Sequence, residues 1–348
     1  MRGVALALAG LVASALAGDS FPIKVYPCPR FTRPPKIDGR LDDACWQAAP
    51  VASGFTHYRK PRLMEVQTSF RLGYDQQFLY LGVHCDEPQA KKLVPSFAGR
   101  DSSGCFRGET IEFFLDPAHS HKDYYQFAVN LAGSFYDAFK FERHWNSTTR
   151  LKTAVVGGGW EVEMAIPWRE VGVPTPKAGM VMGFNVCRDR YAGGVREWSN
   201  WAQTMANFHD VARFGHLVLF PRPGELARLA AEFRKGERSG PIVIYAKGGQ
   251  AGKTYRAMAD DAIAAIERQL DELVALARKE SNKKTTEEIL RRVGQIRARL
   301  AQYRKRLEGR KTLDGATWTR MGVELAQVRC ELKETLWDAR LAALLNEL

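Results

Sequence analysis

The stretch Gly108–Glu142 constrains the fold most, because apolar and polar residues alternate along it in three successive segments. These segments are Thr110–Asp116, Tyr124–Asn130 and Phe135–Phe141. In the first, Ile111, Phe113 and Leu115 share one face, and Glu112 lies on the other. A period of two between turn residues predicts antiparallel β-strands. The polar side of these strands is therefore either exposed to solvent or part of a ligand surface.

The same alternation recurs through most of the first 220 residues. Further segments that show it or read as short strands are Val66–Leu72, Phe78–Cys85, Thr153–Val156, Trp160–Ile166, Met180–Arg188 and His216–Phe220. Many short strands at such spacing are typical of an antiparallel β-sandwich. The tryptophans Trp46, Trp160 and Trp168 are expected in its core.

After Pro221-Arg222-Pro223-Gly224 the hydrophobic period changes from two to about 3.5. Three sets of apolar residues keep the heptad spacing, separated by short breaks at Ser281-Asn282 and Asp314-Gly315. Such spacing predicts three helices of about 25 residues that fold back on one another. The predicted fold class is mainly β: an antiparallel β-sandwich at residues 19–222, followed by an α-helical domain at residues 223–348, either an antiparallel coiled coil or a three-helix bundle.

Residues 1–18 resemble a secretory signal peptide. Arg2 supplies the positive end, Val4–Val12 is a short apolar run, and Ala15-Leu16-Ala17 fits the small-x-small cleavage rule. The apolar run is shorter than the roughly 20 residues of a transmembrane helix, and no later segment is long and apolar enough. We therefore expect a secreted or periplasmic protein, cleaved near Ala17, with no transmembrane segment in the mature chain.

The charge indicates which macromolecules the chain can bind, and the cysteines indicate whether it holds disulfides or a metal cluster. The formal net charge is +12, and Arg291–Lys311 holds nine basic residues and one acidic residue. An exported chain meets little nucleic acid, so this segment is either a solvated helix face or a surface for an anionic envelope polymer. Six cysteines occur without a closely spaced pair, which favours structural thiols with at most one or two disulfides and argues against a metal cluster.

Seven motifs in order carry a family resemblance. They are IDGRLDDACW, LGYDQQFLYLGVHCDE, GETIEFFLDP, YYQFAVNLAG, GGWEVEMAIPW, GFNVCRDR and FGHLVL. With this succession the segment Ile37–Phe220 resembles the family 9 carbohydrate-binding modules. The resemblance implies a β-sandwich that binds oligo- or polysaccharide, often attached to extracellular glycan-degrading enzymes. It also implies a sugar held between two tryptophans, polar side chains on its hydroxyls, and structural calcium. At the position of the first tryptophan this sequence has Phe106 instead.

Carried over position by position, the resemblance gives candidate ligand-binding residues. They are the aromatic Phe106, Trp198 and Trp201, the acidic Glu109 and Glu112, the basic Arg188, and the amides Gln126 and Asn130. Sugar C–H groups stack on aromatic rings, and sugar hydroxyls pair with charged or amide groups, so these residue types suit the chemistry. For calcium, the candidates are turn and strand-end aspartates: Asp38, Asp42, Asp116 and Asp137.

Catalysis is not predicted. The chain lacks the signatures of serine hydrolases, P-loop enzymes, zinc proteases and dinucleotide-binding enzymes, and spacing alone cannot place a glycosidase pair of carboxylates.

Two alternative functions to sugar binding remain. Related sandwiches bind haem b in periplasmic electron-transfer subunits, for which Met182, Met205 and Lys140 are candidate ligands. The helical bundle could instead act in envelope assembly, through a homo-oligomer or a protein partner.

Overall fold

The computed structural model describes residues 22–60, 62–93, 95–222, 224–235, 240–250, 252–280 and 282–346. The signal peptide predicted at residues 1–18 lies outside these ranges. In chain order the strands are β1 Ile23–Cys28, β2 Thr56–His57, β3 Thr68–Tyr74, β4 Phe78–Asp86, β5 Thr110–Asp116, β6 Tyr125–Asn130, β7 Phe135–Phe139, β8 Arg150–Val156, β9 Gly159–Pro167, β10 Val181–Arg190, β11 Glu197–Asn200, β12 Gly215–Leu219, β13 Ile242–Ala246, β14 Gly249–Gln250 and β15 Lys253–Thr254. The helices are α1 Ala44–Ala48, α2 Glu225–Arg228, α3 Ala230–Phe233, α4 Tyr255–Ala277, α5 Lys283–Leu307 and α6 Gly315–Asn346.

Two sheets form the predicted β-sandwich. The first has the order β15-β14-β13-β1-β12-β10-β5-β6-β7, with β11 pairing to both β10 and β2. The second has the order β3-β4-β9-β8. Every pairing in the second sheet is antiparallel, as are those that join β5, β6, β7, β10 and β12. The sequence-based fold class is confirmed.

The alternation in the sequence decides which side chains enter the core between the sheets. Ile111, Phe113 and Leu115 of β5 are completely buried there, as the period of two predicts. Large aromatic residues fill the same core, and Trp160 and Trp168 are among them, also as predicted. The opposite face of β5 carries Thr110, Glu112 and Phe114, which are buried as well, because loops and other side chains cover that side of the sheet.

The short helix α1, which contains Trp46, forms a buried contact with the second sheet. The indole Nε1 of Trp46 donates a hydrogen bond of 2.9 Å to Oε1 of Glu163. The other oxygen of Glu163 accepts from the backbone N–H groups of Asp38 and Gly39, each at 2.8 Å. Gly39 has a φ of +90°, a conformation that other residues rarely adopt. The IDG turn of the sequence is therefore fixed by one buried carboxylate.

The first sheet extends beyond the predicted boundary at residue 222. β1 pairs in parallel with β12 on one side and with β13 on the other, where Ile23 lies opposite Ile242. The antiparallel prediction is therefore incomplete at β1. Part of the segment assigned to the helical domain, β13 with the small strands β14 and β15, continues the sheet of the sandwich.

The three long helices form an up-down-up bundle around the predicted heptad residues. The helices α4, α5 and α6 have 23, 25 and 32 residues, against the predicted 25 or so. The helix α5 forms the ion pairs Arg297–Asp271 and Arg304–Glu267 with α4, and Arg299–Glu331 and Arg306–Glu324 with α6. In each set higher numbers on α5 meet lower numbers on its neighbour, so α5 runs antiparallel to both. No described helix combines the length and the apolar character needed to span a lipid bilayer.

Polar contacts join the bundle to the sandwich. The hydroxyl of Tyr255 on α4 donates to the carbonyl oxygen of Val51 at 3.0 Å. On α6, Thr319 donates to the hydroxyl of Ser53 at 2.6 Å. The next residue of α6, Arg320, lies 3.1 Å from the carboxylate of Asp86 at the end of β4.

A histidine beside these contacts, His84, makes the stability of the protein depend on pH. Nε2 of His84 lies 3.2 Å from Oδ1 of Asp86, and Nδ1 lies 3.0 Å from Oε1 of Glu161. Hydrogen bonds with Asp86 and with Glu161 raise the pKa of His84 from 6.5 to about 9. Because the folded-state pKa lies above the unfolded value, the stabilisation is complete below pH 6.5 and is lost as the pH rises towards 9.

We expect His84→Gln to lower the free energy of unfolding by about 2 kcal/mol near pH 6 and by much less near pH 9.5. Urea unfolding of the wild type and the variant at both pH values measures this. His144→Gln, in an exposed loop, is the control and should change little at either pH. An equal loss at both pH values would show that the charge of His84 does not stabilise the joint.

Candidate functional site

The outer face of the first sheet carries a polar floor made by three neighbouring strands. β5 contributes Glu112, β6 contributes Gln126 and β10 contributes Asp189. Nε2 of Gln126 donates a hydrogen bond of 2.6 Å to Oε2 of Glu112. All three residues lie on the face opposite the hydrophobic core, as the period of two requires.

Aromatic residues form a wall on one side of this floor. Trp198 lies on β11, directly across from Asp189 in the ladder between β10 and β11. Its ring meets that of Tyr58 edge to face, with centroids 6.0 Å apart. Tyr58 in turn packs against Phe208 at 5.8 Å. Trp198 is half-buried, so part of its surface remains available to a ligand.

A second aromatic wall faces the same floor. Phe106 ends the 3-10 helix Ser103–Phe106, and its ring lies 5.1 Å from that of Tyr136. Phe141, which is mostly exposed, packs on the ring of His209 at 4.9 Å. The two walls and the floor enclose a cleft of about 440 Å³. It is lined by Tyr58, Phe106, Glu112, Gln126, Tyr136, Phe141, Arg143, Asp189, Trp198, Asn207, Phe208 and His209.

The two carboxylates in the floor have unusual protonation behaviour. Burial raises the pKa of Glu112 from 4.5 to about 7, although the hydrogen bond from Gln126 opposes this. Burial, together with the carboxylates of Glu112 and Glu109, raises the pKa of Asp189 well above its ordinary range. Burial also lowers the pKa of His209, so this ring is neutral at pH 7. The floor can therefore both donate and accept hydrogen bonds near neutral pH.

Another hollow on the sandwich lacks these features. It has a volume of about 520 Å³ and lies between Gln76, Arg150 and Arg169. Its tryptophan, Trp168, is 1% exposed and presents no ring face to a ligand. The cleft above Glu112 is therefore the better candidate for sugar binding.

The structure brings four of the predicted ligand-binding residues together in the cleft. They are Phe106, Glu112, Gln126 and Trp198. The prediction of Trp201 needs correction, because this ring is 0% exposed and lies in the core between the sheets. The spacing explains the difference: Trp198 and Trp201 are an odd number of residues apart, which in extended chain directs them to opposite faces.

The predicted roles of Arg188 and Glu109 also need correction. Arg188 shares the core-facing side of β10 with Val186 and is 1% exposed. Its guanidinium lies 3.2 Å from Glu109 and 3.4 Å from Glu87. The other oxygen of Glu109 accepts from two backbone N–H groups of the loop after β10. Both side chains stabilise the fold through buried ion pairs and hydrogen bonds, and neither lines the cleft.

Asn130 has a structural role too. Its Oδ1 accepts hydrogen bonds from the backbone N–H groups of Ala132 and Ser134, which closes the turn between β6 and β7. Its Nδ2 donates to the carbonyl oxygen of Ser96 at 2.8 Å. The residue is buried and all these partners lie in loops of the protein, so it is not available to a ligand.

Several cleft residues were missed by the sequence analysis. They are Tyr58, Tyr136, Phe141, Arg143, Asp189, Asn207, Phe208 and His209. Asp189 could have been found, because it lies two residues after Cys187 and therefore on the outer face of β10. The loop residues carry no periodic signal, since folding of distant segments brings them to the cleft.

The aspartates predicted to bind calcium are engaged separately. They are Asp38, Asp42, Asp116 and Asp137. Asp137 lies 2.7 Å from Arg100 and accepts hydrogen bonds from Ser147, and Asp116 accepts from the backbone of His121. In the part of the chain that the structure describes, no three His, Cys, Asp or Glu side chains come together in a way that could hold a metal ion. Structural calcium at these aspartates stays a prediction of the family resemblance.

The three candidate haem ligands differ in burial and in their contacts. Met182 is completely buried in the core of the sandwich, whereas Met205 is exposed. Lys140 forms an ion pair with Asp123. A methionine without exposed surface cannot reach an iron atom in the cleft. All six cysteines are within the described ranges and are free thiols.

The sandwich is similar to known carbohydrate-binding domains in sequence and in structure. Residues 37–221 match the sequence model of a family described as carbohydrate family 9 binding domain-like. A family 9 carbohydrate-binding module from Caldicellulosiruptor kristjanssonii, solved with cellotriose, is 18% identical and has a TM-score of 0.44, covering 57% of this chain and 95% of that chain. Its complex with glucose gives the same identity, TM-score and share of this chain, and covers 97% of that chain. A solved protein from Bacteroides uniformis is 19% identical with a TM-score of 0.44, covering 58% and 100%. No curated protein matches the chain significantly.

Proposed function

Since this chain belongs to the carbohydrate family 9 binding domain-like family, whose model matches more than half of it, we propose that it binds an oligo- or polysaccharide in the cleft between Trp198 and Phe106. One observation carries the proposal: aromatic rings stand on two sides of a floor that contains Glu112 and Gln126. The C–H groups of a pyranose pack on such rings, and its hydroxyls pair with carboxylate and amide groups.

The size and order of the cleft support this proposal. A volume of about 440 Å³ falls in the range of small-molecule sites. The hydrogen bond between Gln126 and Glu112 fixes both side chains before a ligand arrives, which lowers the entropic cost of binding. Each floor residue comes from a different strand of one sheet, so the polar groups stand on a rigid base.

The proposed binding is non-catalytic and takes place outside the cytoplasm. The family match supports a binding role, and the pattern in residues 1–18 supports export. Binding of this kind would serve a system that degrades extracellular polysaccharide. No nucleic acid is proposed as a partner. Contacts with a second copy or another protein through the helical bundle stay a prediction, which the molecular mass in solution would test.

Replacing Trp198 by alanine is expected to weaken sugar binding about five- to thirtyfold, because a stacking surface worth roughly 1–2 kcal/mol is removed. Calorimetry of the full chain with cellobiose, xylobiose and a glucosamine dimer measures the change in affinity. Trp337→Ala is the matched control, since Trp337 lies on α6 away from the cleft and is 65% exposed.

The outcomes separate clearly. Lost binding in Trp198→Ala with unchanged binding in Trp337→Ala would support the cleft as the site. Equal affinity in the wild type and Trp198→Ala would place the sugar elsewhere. If the wild-type chain binds no sugar of the series and none from a wider glycan array, the proposed function fails.

A further inference from the structure

The floor of the cleft contains a buried pair of carboxylates. Asp189 is 3% exposed and Glu112 is 5% exposed. In the antiparallel ladder of β5 and β10, Glu112 lies opposite Cys187, and Asp189 lies opposite Thr110. The two carboxylates are thus diagonal neighbours on one face of adjacent strands, close enough for long side chains to interact. Each raises the electrostatic cost of ionising the other.

Asp189 has a polar atom with no partner. Its Oδ1 is buried and accepts no hydrogen bond within the described part of the chain. A buried acceptor without a partner costs free energy, and a buried carboxylate costs more. Since Asp189 also lines the cleft, a ligand entering the cleft can supply the missing donor.

The arginines closest in sequence do not neutralise this pair. Arg188 pairs with Glu87 and Glu109 on the core side of β10. Arg190 is bound by Glu87 and Glu197. The cation that lines the cleft is Arg143, which is exposed at the rim. Two buried carboxyl groups therefore face one exposed guanidinium, so a cation that enters the cleft is what would allow both of them to ionise.

We infer that the cleft is suited to a sugar that carries a cationic amino group, with the ammonium held between Glu112 and Asp189. The substrate class is a glycan that contains free glucosamine-type residues. This inference rests on the proposed sugar binding and names the kind of sugar. An ammonium has three donors, enough for the unpartnered Oδ1 of Asp189 and for an oxygen of Glu112. Charge-assisted hydrogen bonds of this kind are stronger than those of a neutral hydroxyl. The aromatic walls, headed by Trp198, also attract a cation at the ring face.

Acidic and neutral sugars are expected to bind this cleft more weakly than an amino sugar. A uronic acid or a sulfated sugar would bring a negative charge beside two buried carboxyl groups that already resist ionisation, which the low dielectric of the site makes unfavourable. An N-acetylated glucosamine has the same ring but a neutral amide, so it cannot neutralise the pair. Cellobiose has a hydroxyl at the corresponding position and provides the neutral reference.

The test is calorimetry of the full chain at pH 7 with three dimers: β-1,4-linked glucosamine, its N-acetylated form and cellobiose. We expect the glucosamine dimer to bind at least about tenfold more tightly than cellobiose, as two charge-assisted hydrogen bonds predict. In Asp189→Asn this ratio should fall below about threefold, and Glu112→Gln should reduce it in the same direction. Glu142→Gln, which removes an exposed carboxylate near the rim, is the matched control and should keep the wild-type ratio.

Dependence on pH gives a second readout that a purely structural role would not move. Protonation of the pair competes with the ammonium, so the affinity for the glucosamine dimer should rise between about pH 5 and pH 7, while that for cellobiose stays nearly constant. The titratable and charged groups around the pair are Glu109, Cys105, Cys187, Tyr58, Tyr136, Tyr191, His209 and Arg143. The rise should be smaller in Asp189→Asn, where Glu112 alone still titrates, and absent in the double variant Asp189→Asn with Glu112→Gln. The thermal midpoint of Asp189→Asn should equal or exceed that of the wild type because a buried carboxylate is removed.

Each result has a distinct meaning. Equal or tighter binding of cellobiose overturns the inference and leaves the proposed function intact. A tenfold preference that survives in both Asp189→Asn and Glu112→Gln also overturns it, because the pair would not be the ammonium site. Release of new reducing ends from any dimer overturns it as well, since the carboxylates would then act as an acid and base. Binding of none of the dimers, with no glycan-array signal, overturns the proposed function together with the inference.

Discussion

Replacing Trp201 by alanine is expected to lower the free energy of unfolding by about 3–5 kcal/mol. The indole is completely buried in the core of the sandwich. Its ring centroid lies 5.2 Å from that of Phe70, 4.8 Å from that of Phe184 and 5.5 Å from that of Tyr245. Alanine would leave a cavity among these aromatic rings, which cannot close because both sheets hold their positions.

Urea unfolding followed by tyrosine and tryptophan signals measures this loss. Trp337→Ala on the exposed side of α6 is the control and should change stability by less than about 0.5 kcal/mol. Trp201→Phe, which keeps part of the packing, should cost less than alanine. A stable, folded Trp201→Ala protein that no longer binds sugar would contradict the core assignment and make Trp201 a ligand platform.

Replacing Arg188 by alanine is expected to cost about 3–5 kcal/mol, the loss typical of breaking a buried ion pair from one side. The guanidinium is 1% exposed and lies between Glu87 and Glu109. It also donates a hydrogen bond of 2.9 Å to the carbonyl oxygen of Asp86. Without it, a backbone acceptor and two buried carboxylates lose a partner at once, although Arg190 still pairs with Glu87.

The measurement is again the free energy of unfolding, and Arg196→Ala is the matched control because Arg196 is exposed. Arg188→Lys should restore less than half of the loss, since an ammonium cannot reproduce the planar fork of the guanidinium. Near wild-type stability in Arg188→Ala, with weaker sugar binding, would instead support the ligand role that the family resemblance implied.

The sequence predicts the faces of strands more reliably than the roles of single residues. The alternation in β5 correctly places Ile111, Phe113 and Leu115 in the core and Glu112 on the other side. The same rule, applied to β10, would have placed Arg188 inside and Asp189 outside. The resemblance to the family implies a basic ligand after the GFNV motif. The local periodicity of β10 contradicts this, and the periodicity is correct.

Non-local pairing explains what the sequence could not predict. Nothing within β1 or β13 indicates that they lie side by side, because parallel pairing depends on segments far apart in the chain. The walls of the cleft pose the same problem. Tyr58, Phe208 and His209 stand in loops without periodicity, and the packing of three separate segments brings them together. The heptads of the bundle were predicted well because helical contacts repeat locally.

The position of β13 beside β1 has a consequence for the synthesis of the chain. Roughly 220 residues separate these two neighbouring strands. At about 5–20 residues per second, a ribosome needs roughly 10 to 45 seconds between making one and making the other. Until β12 has been made both edges of β1 lack a partner, and until β13 has been made one edge still does, so its free backbone groups can pair with other chains. The sandwich is therefore completed only when most of the protein has been translated, and a chain that stops at residue 222 is expected to aggregate.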